Sequence, residues 1–166
     1  MPVKVALVLI VKGSDDEAPH LQRCLQSVSK HVDGIFLNVN HKEGVEPSQA
    51  VLDVAKSFTD NVVITQWNDD FAEARNANLA QVPKDYEWVL WLDSDDTIDH
   101  PKKIKEVCEL SNKYDSIFVD YIYDKDEAGN PLTVHMVARM FKNNDSHKWK
   151  GRIHETLIET RSATQG

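Results

Sequence analysis

Three carboxylates, Asp93, Asp95 and Asp96, stand within four residues, directly after the apolar run Trp88-Val89-Leu90-Trp91-Leu92. The run has the length and composition of a strand buried on both faces, as in a parallel sheet. In open α/β sheets, ligands bind beyond the carboxyl ends of such strands. Carboxylates crowded there repel one another unless a cation sits among them. Mg²⁺, a hard cation, commonly joins one or two carboxylates to substrate phosphates. The spacing therefore predicts a metal and diphosphate site. The plainer alternative is that Ser94, Asp95 and Asp96 make a turn and cap the next helix.

Two further stretches carry reactive residue types. In Trp67-Asn68-Asp69-Asp70-Phe71-Ala72-Glu73-Ala74-Arg75-Asn76, Asp69 or Asp70 caps a helix whose second turn holds Arg75 and Asn76. A guanidinium there suits phosphate oxygens, because its planar fork pairs with them bidentately. An ordinary surface pair between Arg and Asp would look the same. The third stretch is Arg139-Met140-Phe141-Lys142-Asn143 followed by Trp149-Lys150-Gly151-Arg152-Ile153-His154-Glu155. His154 and Glu155 could supply a metal ligand and a base. On a regular strand they would point to opposite faces, so one must leave strand geometry if both serve one site. A charged edge strand is the alternative.

The elements that must position these residues alternate. Residues 3–11 read as a strand, 17–30 as a helix with Leu21, Leu25 and Val28 on one face, and 34–39 as a strand. Residues 48–58 form a helix, 62–65 a strand, and a helix runs from Asp69 and Asp70 to about Ala80. After the central strand come a helix over 101–113 with Pro101 in its first turn, a strand over 116–123, a turn with Gly129, a strand over 132–141 and an extended stretch over 148–158. Alternating strands and helices predict an α/β domain with a mostly parallel sheet and right-handed crossovers; the late hairpin makes the sheet mixed.

Composition bounds the rest. At 166 residues one domain is expected, covering 1–160, with 161–166 as a flexible tail. The net charge of −8 opposes general nucleic-acid binding. Cys24 and Cys108 fall in helices and read as small core residues, not a redox or zinc pair. The apolar run at 5–11 is too short to span a membrane and lacks the flanks of a signal peptide, so a cytoplasmic chain is expected. The exposed hairpin edges are compatible with a homodimer.

The order Asp-Asp-Phe-Ala-x-Ala-Arg-Asn, Trp-x-Leu-Trp-Leu-Asp-x-Asp-Asp, Arg-x-Phe-Lys-Asn and Gly-Arg-Ile-His-Glu resembles the family 2 glycosyltransferases with the GT-A (Rossmann-like) fold. It is most similar to the compact branch related to peptide S-glycosyltransferases of bacteria and their phages, which Arg23-Cys24-Leu25-Gln26-Ser27-Val28 also fits. The resemblance covers nearly the whole chain. It implies inverting transfer of a sugar from a UDP-sugar, UDP-glucose being favoured, with Mn²⁺ or Mg²⁺, to an acceptor the sequence does not identify. Carried over by motif, Asp93 contacts the ribose or the metal, Asp95 ligates the metal and His154 completes the metal site. Arg75 and Ser94 lie by the donor, and Val8, Ile10 and Lys12 help hold the nucleotide. Glu155 and Asp96 are the candidates for the general base, with Asp120 third.

The sequence departs from the family pattern twice. Where relatives carry a base-reading Asp after the second strand, this chain has Leu37-Asn38-Val39-Asn40-His41-Lys42-Glu43-Gly44. Asn38 or Asn40 could take that role, since an amide both donates and accepts. The chain also stops soon after His154, so the acceptor site is expected to be shallow, shared between subunits or lost with a missing region. A sugar-nucleotide hydrolase or nucleotidyltransferase, and a catalytically degenerate sugar-nucleotide-binding protein, are the alternatives.

Overall fold

The structure is a computed structural model and describes residues 2–152 and 155–159. Four parallel strands, β1 (Val5–Lys12), β2 (Gly34–His41), β3 (Val62–Gln66) and β4 (Trp88–Trp91), form the greater part of a six-stranded sheet. The antiparallel hairpin of β5 (Ser116–Lys125) and β6 (Pro131–Lys142) completes it, in the order β3-β2-β1-β4-β6-β5. The α/β class and the mixed sheet are as the alternation predicted. Gly129 adopts φ 85° in the tight turn of that hairpin.

Strand alternation divides the core into two layers. The odd-numbered residues of β1, with Leu37, Val39 and Leu90, pack under α1 (Ala18–Val28), α2 (Gln49–Phe58) and α4 (Ile104–Leu110). Ala6, Val8, Phe36, Val89 and Phe141 face the other way, with Ala72 of α3 (Phe71–Leu79) and Trp149. Burying each such large apolar side chain contributes about 1.5–3 kcal/mol. At the start of β2, Gly34 leaves room for the Tyr86 ring: a Cβ there would lie 2.3 Å from the Tyr86 hydroxyl.

Two expectations need correction. The helix expected over 101–113 is a single 3₁₀ turn followed by the seven-residue α4. The extended stretch over 148–158 is two strands, β7 (His147–Lys150) and β8 (Thr156–Glu159), paired antiparallel as a separate small sheet. Gly151 adopts φ 106° just after β7, a conformation other residues avoid, so the chain turns there. Glu155 therefore sits in the connection, free of strand alternation.

Candidate active site

Asp70 begins α3, its carboxylate accepting the Glu73 backbone N–H at 3.0 Å. One turn on, Arg75 is nearly closed off from solvent. Its Nη2 donates to Asp93 Oδ1 at 2.7 Å and its Nε to Glu155 Oε1 at 3.0 Å. The guanidinium carbon lies 4.9 Å from the ring centre of Trp91 and 4.8 Å from that of Trp149, and the two rings meet edge to face. Stacking between desolvated rings fixes the fork in place. Asn76 secures the arrangement: it donates to the Trp149 carbonyl and accepts from the Trp149 N–H, both at 2.9 Å. The β7–β8 hairpin is thus clasped to α3, and Glu155 is brought to the end of β4.

A second arginine works from the hairpin side. Arg139 is buried, with Nη1 3.1 Å from Asp96 Oδ2 and 4.0 Å from Asp93 Oδ2. Its guanidinium carbon lies 4.0 Å from the Trp91 ring centre and 5.0 Å from that of Tyr121. Asp96 is buried and fastens the loop, accepting the Asp93 backbone N–H at 2.9 Å and returning its own N–H to the Asp93 carbonyl. Burial pushes its carboxyl above the usual range, against the opposing pull of the Asp93 N–H and Arg139. Asp96 therefore serves as a structural residue, which argues against its expected role as base. Ser94 Oγ donates to Glu17 at 3.1 Å, tying the loop to the segment before α1.

The crowding of acids is met in large part by arginine. Arg75 pairs with Asp93 and Glu155, and Arg139 pairs with Asp96, so two positive charges offset most of three negative ones. Asp95 is left: it is exposed, and its carboxylate makes no hydrogen bond or ion pair to the described residues. Among the described residues, no group of three or more His, Cys, Asp or Glu side chains is gathered to hold an ion. The donor chemistry nevertheless fits Mn²⁺ or Mg²⁺, because such ions need only one or two carboxylates when diphosphate and water complete the shell. Asp95 is available, and Asp93 keeps Oδ2 beyond ordinary hydrogen-bond distance of Arg139. His154 lies outside the described residues.

The remaining expected residues divide. Lys12 is exposed at the end of β1 and Ile10 is partly buried beside it. Val8 belongs to the core layer beneath α3, so its side chain does not line a nucleotide site. Asn38 is fully buried, donating to the Ala74 carbonyl at 3.1 Å and accepting from Thr65 Oγ1 at 2.9 Å. Its place on the α3 side of β2 commits the amide to holding that helix, not to reading a base. Asn40 is buried too, donating to Thr65 at 2.8 Å. Asp120 is exposed on β5 and lines, with Asp95, Asp96 and Arg139, the cavity between the carboxylate loop and the β5–β6 hairpin.

Arg139, Asn76, Trp149 and Tyr121 had no assigned role in the sequence. The motifs containing the first three could have flagged them, but only packing shows that they brace the acids.

The glycosyl transferase family 2 model matches residues 14–161. A TPR repeat-containing protein of Synechococcus elongatus is 28% identical over 165 residues, 98% of this chain; the chain spans only 37% of that relative. Among solved structures, TarS 1-349 of S. aureus in complex with UDP-GlcNAc is similar with TM-score 0.52 and 17% identity, over 79% of this chain and 37% of that one. A 4-diphosphocytidyl-2C-methyl-D-erythritol synthase of Anaerococcus prevotii is similar with TM-score 0.57 and 12% identity, over 85% of this chain and 70% of that one. At these identities the structures bear on the fold alone. The acids at the end of β4, the clamping arginines and the matched span agree: the chain belongs to glycosyl transferase family 2 and has the GT-A fold.

Proposed function

We propose that this domain is a metal-dependent, inverting glycosyltransferase that takes a sugar from a UDP-sugar, with UDP-glucose favoured. The observation that carries the reading is the contrast within one loop. Asp93 and Asp96 are tied down by arginines, while Asp95 stands exposed at the carboxyl end of β4 with no hydrogen bond or ion pair to its carboxylate among the described residues. Asp95 and Asp93 would hold Mn²⁺ or Mg²⁺. The ion would neutralise charge developing on the diphosphate as it leaves.

Glu155 is the base in this reading. Its Oε1 takes the Arg75 bond, which leaves Oε2 to accept the acceptor's proton. The acceptor oxygen or sulfur then bonds to the sugar's anomeric carbon as the bond from that carbon to the diphosphate breaks, and UDP departs. Arg75 acts as a positioning residue: it orients Glu155 and Asp93 at once. The likeness of TarS, whose structures include complexes with UDP and UDP-GlcNAc, supports a nucleotide-sugar donor. The match over residues 14–161 supports one catalytic unit over residues 1–160.

The fold likeness to a diphosphocytidyl synthase favours a second reading, nucleotidyl transfer. Against it, the loop after β1 is no open phosphate cradle: the Gly13 N–H is already bonded to the Asn40 carbonyl at 2.7 Å. Calorimetric titration with UDP and a set of UDP-sugars, with Mn²⁺ and then with chelator, tests the first reading. Binding is expected to need the metal and to vanish in Asp95→Ala; undiminished binding in that variant would sink the mechanism. Pyrophosphate released from UTP and a sugar phosphate would favour the second reading.

A further inference from the structure

Strand β6 carries one residue too many for its partner. Its register with β5 places Met140 opposite Ile117 and then Ala138 opposite Phe118, which leaves Arg139 as the extra residue of a β-bulge. A bulge re-aims side chains. Arg139 and Met140 are neighbours on one strand, yet both line the cavity between the carboxylate loop and the hairpin, where a regular strand would send them to opposite faces. The ladder to β4 ends at Leu90 and Met140. Beyond it the Trp91 indole N–H donates to the Ala138 carbonyl at 2.7 Å and holds the bulge against β4.

The re-aimed guanidinium meets the carboxylate loop at one atom. Asp96 Oδ2 lies 3.1 Å from Arg139 Nη1 and also accepts the Asp93 N–H at 2.9 Å. The Arg139 N–H is not aligned for a hydrogen bond, so the pairing is one of charge. The Asp96 N–H returns to the Asp93 carbonyl at 3.0 Å, and the two residues close a turn with Ser94 and Asp95 at its tip. Asp93 is then held at its N–H, at its carbonyl and at Oδ1, which Arg75 takes. Its Oδ2 is spared, because Arg139 Nη1 stays 4.0 Å away. Asp96 is buried, and a carboxylate there is costly without a cation beside it.

We infer that Arg139 is a positioning residue for the metal carboxylates: acting through Asp96, it holds closed the turn that presents Asp93 Oδ2 and Asp95 to the ion. The ion's part in this rests on the glycosyltransferase reading; the hold on the turn does not. The β5–β6 hairpin thereby contributes to the donor side of the site through one side chain. A pairing of charge, made at one oxygen, also sets what can replace the arginine. Lysine carries the charge and can lie over the Trp91 ring, whereas methionine and glutamine carry none.

The test compares Arg139→Lys, Arg139→Met and Arg139→Gln in the full chain. Hydrogen exchange at the Asp93 amide, without metal or nucleotide, reads the turn, and the Leu7 and Leu37 amides read the sheet. Mn²⁺ affinity in the presence of UDP, followed by the electron paramagnetic resonance of free Mn²⁺, reads the ion site. In the Met and Gln variants exchange at Asp93 should rise about tenfold or more, while the Leu7 and Leu37 amides keep their protection. Mn²⁺ affinity should fall about 10- to 100-fold, the usual loss when a group that orients a metal ligand is removed. Arg139→Lys should stay within about threefold of wild type on both counts. Unchanged exchange at Asp93 in both neutral variants would overturn the inference, and so would faster exchange with undiminished Mn²⁺ affinity. Equal losses in the lysine variant would overturn it too, as would loss of protection across the whole sheet, which would make the role one of general stability. If one neutral variant fails to fold, the other decides; failure of both would again make the role general and overturn the inference. A wild type that binds UDP without need of Mn²⁺ would count against the donor reading, and the Asp93 amide would still decide whether Arg139 holds the turn.

Discussion

Arg75 and Asp95 define opposite behaviours within one site. Arg75 makes two ion pairs and two ring contacts while almost fully buried. Lysine cannot reproduce a fork that reaches two carboxylates from different elements. Arg75→Lys should lower the unfolding free energy by about 1–3 kcal/mol, less than for a fully buried pair because Asp93 is partly exposed. It should also depress turnover more than donor affinity, since Glu155 loses its orientation. Urea denaturation and a split of kcat from KM would show both. Asp95→Ala should instead leave stability within about 0.5 kcal/mol of wild type, as for other exposed substitutions, while abolishing metal-dependent donor binding. A marked loss of stability would mean that the carboxylate has a structural partner.

At the scale of elements, the β7–β8 hairpin forms a small sheet of its own. It pairs with no strand of the main sheet and is attached through Asn76, Trp149 and Arg75. Two hydrogen bonds from one side chain to one residue's backbone act as a surrogate strand pairing. Asn76→Ala should cost about 1–3 kcal/mol and speed hydrogen exchange at the Trp149 amide, while the Leu7 and Leu37 amides in the central strands stay protected. Uniform loss of protection would mean that the hairpin folds as one unit with the sheet. The cap of α3 has a separate, smaller effect. Asp70→Ala should cost about 1 kcal/mol, because the Glu73 N–H loses its acceptor.

For the molecule as a whole, the two thiols report on the helical layer over one face of the sheet. Cys24 on α1 and Cys108 on α4 are fully buried, and burial pushes each thiol up to about 12 from 9.0. Native protein should therefore leave both unreactive toward Ellman's reagent, and denatured protein should react at both. Between pH 9 and 12 the folded chain holds thiol protons that the unfolded chain has lost. Stability must then fall as pH rises through that window, by at most about 1.4 kcal/mol per pH unit for each thiol. The Cys24→Ala, Cys108→Ala double variant should show a shallower decline over the same window in thermal unfolding at graded pH. An identical decline would place the cause elsewhere.

What the sequence determined by itself was the α/β class, the parallel character of the central strands and the location of the acids at the end of β4. Those follow from local pattern: the apolar run Trp88-Val89-Leu90-Trp91 has the length and composition of a central strand, which the structure buries along its whole length, and its end is where a ligand meets it. Tertiary structure decided which acid is free. Asp93, Asp95 and Asp96 are nearly alike in sequence, and their roles separate only when Arg75 arrives from α3 and Arg139 from β6. The same holds for Asn38, whose amide could have read a base until its side of β2 was fixed beneath Ala74. Glu155 reaches the site because Gly151 turns the chain and Asn76 clasps Trp149. Periodicity carries information between neighbours in sequence, whereas charge pairing and burial depend on partners as much as 80 residues apart, as Arg75 is from Glu155.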